Sequence, residues 1–176
     1  QVLDGENMRE AIYKMITDIV DNAVDMCFSD DVDSEEWDLN EFNTVLRQII
    51  PIEPITEEKV KGKKKNEMKH LIKEEAVKLY EAKESEFPEP EQLRELERVI
   101  LLKSIDSKWM DHIDDMEILR QGIGLTAYGQ RDPVVEYKMV AFDMFNNMLT
   151  SIKEDTVRML YHVKVEQKIE REQVAK

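Results

Sequence analysis

The sequence predicts an all-α protein built around a long antiparallel two-helix hairpin, with a small helical domain inserted before it. Apolar residues recur every three or four positions along most of the chain, which is the spacing of one helix face. The 176 residues include only five Gly and five Pro, and 41% of them are hydrophobic. With 36% charged residues as well, this composition favours helices around a core over a sheet or a disordered tail.

Charge and composition exclude several classes of function. The chain has 25 Lys plus Arg against 39 Asp plus Glu, and its net charge of −14 disfavours nucleic-acid binding. A single cysteine, Cys27, excludes an internal disulfide and a cysteine-built zinc site. No run is long enough for a membrane span and the start is not a signal peptide, so we expect a soluble, cytoplasmic protein. Because the first residue is not Met and the helical pattern has already begun there, we also expect a piece of a longer chain.

The first helix is predicted from near Asp4 to near Phe28. Its apolar stripe steps by three and four through Met8, Ile12, Met15, Ile19, Ala23 and Met26. The acidic stretch 29–36 then breaks the pattern. It lacks the mid-loop glycine of an EF-hand, so we interpret it as a solvated linker rather than a calcium loop.

Two helices are predicted in the inserted domain. Asp38 to Glu41 has the form of a capping box, and the short helix after it ends before Pro51 and Pro54. The basic run 61–65 lacks the spacing of a phosphate-binding loop and is interpreted as a solvated loop. A longer helix then follows from Asn66 to about Ser85.

The first hairpin helix is predicted from Leu93 to Gln121. Its apolar stripe comprises Leu102, Ile105, Trp109, Ile113, Met116 and Leu119. Glycines at 122, 124 and 129 favour a turn there over more helix.

The second hairpin helix is predicted from its N-terminal signals, which are Asp132 as the cap and Pro133 at the first helical position. It is expected to continue to about Val165. Its stripe comprises Tyr137, Ala141, Met144, Met148 and Ile152, widened by Phe142, Phe145 and Leu149. We expect the stripes of the two helices to be buried against each other.

No catalytic site and no metal site are predicted. His112 lies beside Asp111 and near Asp115, but the sequence supplies no third ligand and no nucleophile, so a structural histidine is favoured over a metal-dependent enzyme. The glycines at 122 and 124 follow a helix rather than a strand and do not form a dinucleotide fingerprint.

The loop between the hairpin helices contains the apolar or amphipathic residues Ile123, Leu125 and Tyr128. Two interpretations stay open. These side chains either fold back and hold the hairpin together, or they are presented to a partner at the end of a rigid lever. Tyrosine suits the second role, because it offers a large contact area with few torsions to fix.

Four segments, 106–114, 119–133, 136–138 and 142–145, resemble the two-helix finger of the SecA family, the ATP-driven motors of bacterial protein secretion. The most specific part is the run Leu-Arg-Gln-Gly-Ile-Gly-Leu-Thr-Ala-Tyr-Gly-Gln-Arg-Asp-Pro, and the likeness covers residues 93–163. The resemblance implies four parts. They are the end of a long scaffold helix (1–28), a helical wing domain (29–90), the scaffold and two-helix finger (91–165) and a charged tail (166–176).

The resemblance also implies a role for the loop. Tyr128 matches the family's tip tyrosine, which contacts the moving preprotein at the mouth of the channel. Ile123, Leu125, Gln130 and Arg131 belong to the same loop. The polar residues Lys108, Asp111 and Arg120 are candidates for contact with the motor.

The implied partners are an unfolded preprotein, a SecYEG-type membrane channel and the nucleotide-binding domains of the parent chain. The implied location is cytoplasmic, peripherally associated with the inner face of the cell membrane. ATP and Mg²⁺ are expected in the intact parent only, since this chain has no phosphate loop and no cofactor of its own is predicted. The alternative is a helical adaptor, a protein-binding module unrelated to secretion.

Overall fold

The computed structural model describes residues 5–126, 129 and 132–165, with the side chains of 5, 6, 125 and 126 excepted. Within this part of the chain there are six α-helices, one short 3-10 helix and no β-strand, which confirms the predicted all-α class. The elements are α1 (Gly5–Cys27), the 3-10 helix (Ser34–Glu36), α2 (Leu39–Arg47), α3 (Glu57–Val60), α4 (Lys65–Glu84), α5 (Pro90–Thr126) and α6 (Pro133–His162).

Helix α1 is the central element, because it packs against α2, α4, α5 and α6. Its fully buried face includes Ile12, Ile16, Val20 and Val24, and burial of each such side chain contributes roughly 1.5–3 kcal/mol. The predicted extent of this helix is confirmed. Met26 was expected on the buried face but is 65% exposed, since the core continues through Val24 and Phe28 instead.

Aromatic contacts attach the inserted segment to the end of α1, and amide hydrogen bonds hold the segment itself together. The ring of Phe28 stacks on Trp37 with centroids 4.5 Å apart and lies 4.7 Å from Phe42 of α2. The Asn43 side chain exchanges two hydrogen bonds with the backbone of Ile55, at 2.9 and 2.8 Å. The predicted cap of α2 is confirmed, because the Asp38 carboxylate accepts the Glu41 N–H at 2.9 Å.

Ion pairs join α4 to α1. Lys65 and Lys69 contact Asp25 at 3.0 and 2.7 Å, and Lys73 contacts Asp21 at 2.6 Å. Because later residues of α4 pair with earlier residues of α1, the two helices run antiparallel. A single hydrophobic core runs from α1 through residues 28–60 and α4 to α5 and α6.

The end of α5 differs from the sequence prediction. The helix continues through Gly122 and Gly124 to Thr126, so the expected stop at Gly122 is wrong. Glycine inside a helix costs only about 1 kcal/mol relative to alanine, and no proline lies between Pro90, where α5 begins, and Pro133. The start of α6 is confirmed, because the Asp132 carboxylate accepts the Val134 N–H at 2.9 Å and Pro133 occupies the first turn.

None of the helices in the described ranges combines the length and the apolar composition that crossing a bilayer requires.

Candidate functional site: the two-helix hairpin

The two longest helices form an antiparallel hairpin. Lys108 of α5 contacts Asp155 of α6 at 3.1 Å, and four residues further along α5 the His112 ring lies 5.9 Å from the Phe145 ring. Later positions on α5 thus meet earlier positions on α6. With 37 residues, α5 is about 55 Å long at 1.5 Å per residue, so the hairpin projects well beyond α1.

The loop residues of the predicted contact site lie largely outside the described residues. This applies to Tyr128, Gln130 and Arg131, and to the side chain of Leu125. Ile123 is described, and its side chain is half-buried near the end of α5.

The three candidates for motor contact have different surroundings. Lys108 is engaged within the hairpin by its ion pair with Asp155. Asp111 is exposed. Arg120 is also exposed, and it pairs with Glu117 one turn away at 2.9 Å; the Arg120 hydrogen bond holds the pKa of Glu117 below its usual range.

One side of the hairpin is a polar groove of about 300 Å³. It is lined by Lys108, Asp111, His112, Asp115, Met144, Asn147, Met148 and Ser151. His112 is half-buried here, and its ring lies 5.6 Å from that of Trp109. In the described ranges, no three His, Cys, Asp or Glu side chains are arranged to hold a metal ion.

Next to this groove, an apolar surface of the hairpin is exposed. Trp109 of α5 is 47% exposed and Phe142 of α6 is 67% exposed. The His112 ring lies between the rings of Trp109 on α5 and Phe145 on α6, so these two aromatic side chains are on the same surface. We call this surface the apolar side; it consists of Leu102, Ile105, Trp109, Ile113, Phe142, Phe145 and Leu149.

The apolar side corrects the predicted packing of α5. Leu102, Ile105, Trp109 and Ile113 were expected against α6, but all four are exposed. The buried positions are Leu101 and Ser104 instead, one residue earlier in each turn. Periodicity identifies an apolar face without saying what covers it, and α5 has apolar residues on two neighbouring faces. On α6 the prediction is confirmed for Met148 and Ile152, which are buried, and is wrong for Phe142, Phe145 and Leu149, which are exposed.

At the base of the hairpin is a buried polar cluster that the sequence analysis did not identify. The Glu97 carboxylate is 0% exposed and accepts hydrogen bonds from Tyr80 at 2.5 Å and from Arg94 at 2.8 Å. Burial raises the pKa of the Tyr80 hydroxyl well above its usual value, so this group stays a donor. The sequence spacing could have indicated this burial, because Glu97 lies four residues from both Leu93 and Leu101, which are buried on the same face of α5.

Sequence comparisons agree on one family. A model of the family described as the SecA Wing and Scaffold domain matches residues 1–164. The protein translocase subunit SecA of Lachnoclostridium phytofermentans is 59% identical over 184 aligned residues, which include all of this chain and 21% of that protein. Its counterpart in Clostridium novyi is 45% identical over 177 residues, with all of this chain and 21% of that protein covered.

The SecA subunit of Finegoldia magna is 46% identical over 175 residues, covering 99% of this chain and 19% of that protein. The chain thus spans about a fifth of the length of these curated relatives. Since the family match covers nearly every residue and the described helices fit an all-α scaffold, the chain belongs to the SecA Wing and Scaffold domain family.

Proposed function

We propose that this chain is the wing, scaffold and two-helix-finger part of a SecA protein translocase, and that its hairpin contacts the unfolded preprotein at a SecYEG-type channel. The observation that carries the proposal is the exposure of large apolar side chains along the distal hairpin. Proteins rarely expose this many large apolar side chains unless the surface contacts a partner or another part of the same protein. Ile118, Val134, Val135 and Met139 extend the exposed apolar set towards the tip.

The chemistry of the hairpin suits a substrate without a fixed sequence. Trp109, Phe142 and Phe145 offer broad apolar contacts that do not depend on a particular partner side chain. Tyr128 adds an aromatic ring with a hydroxyl in the loop, together with Leu125, Gln130 and Arg131. In this proposal the helices form the rigid support and the loop makes the contact.

Coupling to ATP turnover is the second part of the proposal. Asp111 and Arg120 are the better candidates for contact with the nucleotide-binding domains, because both are exposed and the Arg120–Glu117 pair is open to solvent. Lys108 is already held by Asp155 and contributes to hairpin geometry instead. ATP and Mg²⁺ would bind outside this chain, which has no phosphate loop.

The proposed location follows from these partners. The chain would act in the cytoplasm, peripherally associated with the inner face of the cell membrane. The wing domain at 29–90 and the charged tail at 166–176 stay predictions, and the tail lies outside the described residues.

The decisive experiment is photocrosslinking in the full-length translocase that contains this chain. A photoreactive residue is placed at Tyr128 or at Phe142 while a secretory chain is stalled in the channel. A matched control places the same residue at Glu53, which is exposed in the inserted domain.

We expect an ATP- and channel-dependent adduct to the stalled chain from Tyr128 and no such adduct from Glu53. Adducts from Tyr128 only to the protein's own helices would contradict the proposal and favour a loop that folds back on the hairpin. Failure of the full-length protein to bind the channel at all would favour the adaptor alternative.

A further inference from the structure

A single side chain of α4 contacts each of the other three long helices. The Tyr80 hydroxyl donates to Glu97 of α5 at 2.5 Å. The Tyr80 ring meets Tyr13 of α1 edge-on at 5.8 Å and Tyr161 of α6 at 5.4 Å. Tyr161 in turn donates to the Ala76 carbonyl at 2.7 Å. Tyr80 is 0% exposed, so this meeting point is inside the protein.

Paired charges complete the network. Arg94 donates to both oxygens of Glu97, each at 2.8 Å, and also to Glu84 at the end of α4. Arg9 of α1 reaches the other oxygen of Glu84 at 3.2 Å. Two cations and two carboxylates therefore alternate across three helices. We call Tyr80, Glu84, Arg94 and Glu97 the hairpin joint.

Stability alone does not explain a buried ionic cluster. Removing charges from water is costly, and well-packed apolar residues of similar volume often stabilise a core at least as well. The hydrogen bonds in the joint are short and directional, whereas apolar contacts tolerate sliding and rotation. The joint therefore specifies one relative orientation of α1, α4 and α5 in addition to holding them together.

The joint lies where orientation matters most for the tip. It spans the turn 85–89, with Tyr80 and Glu84 before the turn and Arg94 and Glu97 after it, at the point where the hairpin begins. From Glu97 to Thr126, α5 extends about 45 Å further. A rotation of about 10° at the joint would therefore move the end of α5 by roughly 8 Å, which is more than the width of an extended polypeptide.

We propose that Tyr80, Arg94 and Glu97 are positioning residues that fix the direction of the hairpin relative to the inserted domain, and so determine where its loop meets the preprotein. The second half of this inference rests on the proposed function; the first half does not. The side chains act at a distance from the substrate, through the rigid helix that they orient.

The test measures the hairpin direction itself in the full-length translocase, with Cys27 and any other cysteines replaced. Spin labels at Glu53 in the inserted domain and at Gln121 near the end of α5, both exposed, report their separation by pulsed electron paramagnetic resonance. Glu97→Gln removes the charge but keeps the shape, and Tyr80→Phe removes only the hydroxyl. We expect either variant to shift or broaden the distance distribution by about 5 Å or more, and to lower preprotein transport about threefold.

Matched controls separate orientation from unfolding. Glu95 forms an ion pair with Arg98 in the same part of α5, and the two residues are three positions apart, as Arg94 and Glu97 are. Unlike Glu97, Glu95 is exposed, so Glu95→Gln removes an ion pair outside the joint. It should leave both the distance and transport unchanged. Labels at Glu36 and Glu53, both within the inserted domain, should keep their separation in every variant.

If the Glu53–Gln121 distance distribution is unchanged in both Glu97→Gln and Tyr80→Phe, the hairpin joint does not fix the direction of the hairpin and the inference is wrong. A shifted distribution with normal transport would overturn its link to the preprotein. Because the distance needs no substrate, a shifted hairpin combined with no crosslink from Tyr128 would count against the proposed function alone.

Discussion

The hydroxyl of Tyr80 lies 2.5 Å from the carboxylate of Glu97, and neither side chain is accessible to solvent. This contact ties the last helix of the inserted domain to the first helix of the hairpin. A buried carboxylate depends on each of its donors, because no water replaces a donor that is removed. The stability of the hairpin base should therefore depend on one phenolic oxygen.

Tyr80→Phe is expected to lower the free energy of unfolding by about 1–3 kcal/mol, the cost of leaving a buried acceptor short of a donor. Urea denaturation followed by far-ultraviolet circular dichroism measures this change. Tyr13→Phe is the matched control, since the Tyr13 hydroxyl bonds Arg9 in an exposed contact at 3.2 Å. It should cost less than about 0.5 kcal/mol. An equal loss of unfolding free energy in the two variants would mean that the buried Tyr80–Glu97 hydrogen bond contributes no more than the exposed one.

The joint also marks the limit of what the sequence could predict. The 3.6-residue periodicity located α1, α4 and α6 closely, because each has an apolar stripe that one core covers. Glu97 was missed because a glutamate near a helix start usually faces solvent. Its burial depends on Tyr80 as well as on Arg94 one turn away, and the contact with Tyr80 comes from another helix, α4.

The candidate site was predictable in position but not in its packing. The hairpin and its cap at Asp132 followed from local signals. The choice between Leu101 and Leu102 as the buried position did not, because two neighbouring leucines look alike in the sequence and only the packing of the other helices buries Leu101. For Tyr128 the prediction rests on the resemblance, and its placement lies outside the described residues.

Acid should weaken the contact between α1 and α4. Hydrogen bonds from Lys69 and Lys65 hold the pKa of Asp25 below its ordinary value of 3.8. A lowered folded-state pKa contributes stability that is present above pH 3.8 and is lost as the pH falls through the lowered value. Asp25→Asn should therefore be less stable than the parent at pH 7, by less than about 1 kcal/mol because the side chain is half exposed.

That difference should disappear well below pH 3.8, where Asp25 of the parent is protonated and therefore as uncharged as the asparagine of the variant. Urea midpoints measured across pH test this. Asp31→Asn is the control, since Asp31 is exposed and makes no ion pair with any described residue. Its curve should run parallel to that of the parent. A gap between Asp25→Asn and the parent that persists at low pH would show that the lost interaction is not ionic.

A buried hydroxyl at the base of α6 should be dispensable. Thr156 is 0% exposed, and its Oγ1 has no hydrogen-bond partner among the described residues. Burying an unpaired hydroxyl is costly, and valine has nearly the same shape without it. Thr156→Val should raise the free energy of unfolding by about 1 kcal/mol in urea denaturation. Thr150→Val, at an exposed position of the same helix, should change it by less than about 0.5 kcal/mol. A destabilised Thr156→Val would mean that the hydroxyl has a partner, such as a bound water.

Because α5 continues through its glycines, replacing one of them with alanine should stabilise the helix. Gly124 lies in the helix, and a Cβ there would meet no described atom within 4 Å. Gly124→Ala should therefore stabilise the end of α5 by about 0.5–1 kcal/mol, mainly by restricting the unfolded chain. Hydrogen exchange of the amides from Ile118 to Gly124 should slow by roughly twofold to fivefold. Gly62→Ala provides the opposite case, because Gly62 has a φ of +70° and alanine would be strained there by about 1 kcal/mol. If Gly124→Ala instead speeds exchange, the glycine adopts a turn conformation that alanine disfavours. Helix α5 would then end near Gln121, as the glycines in the sequence predicted.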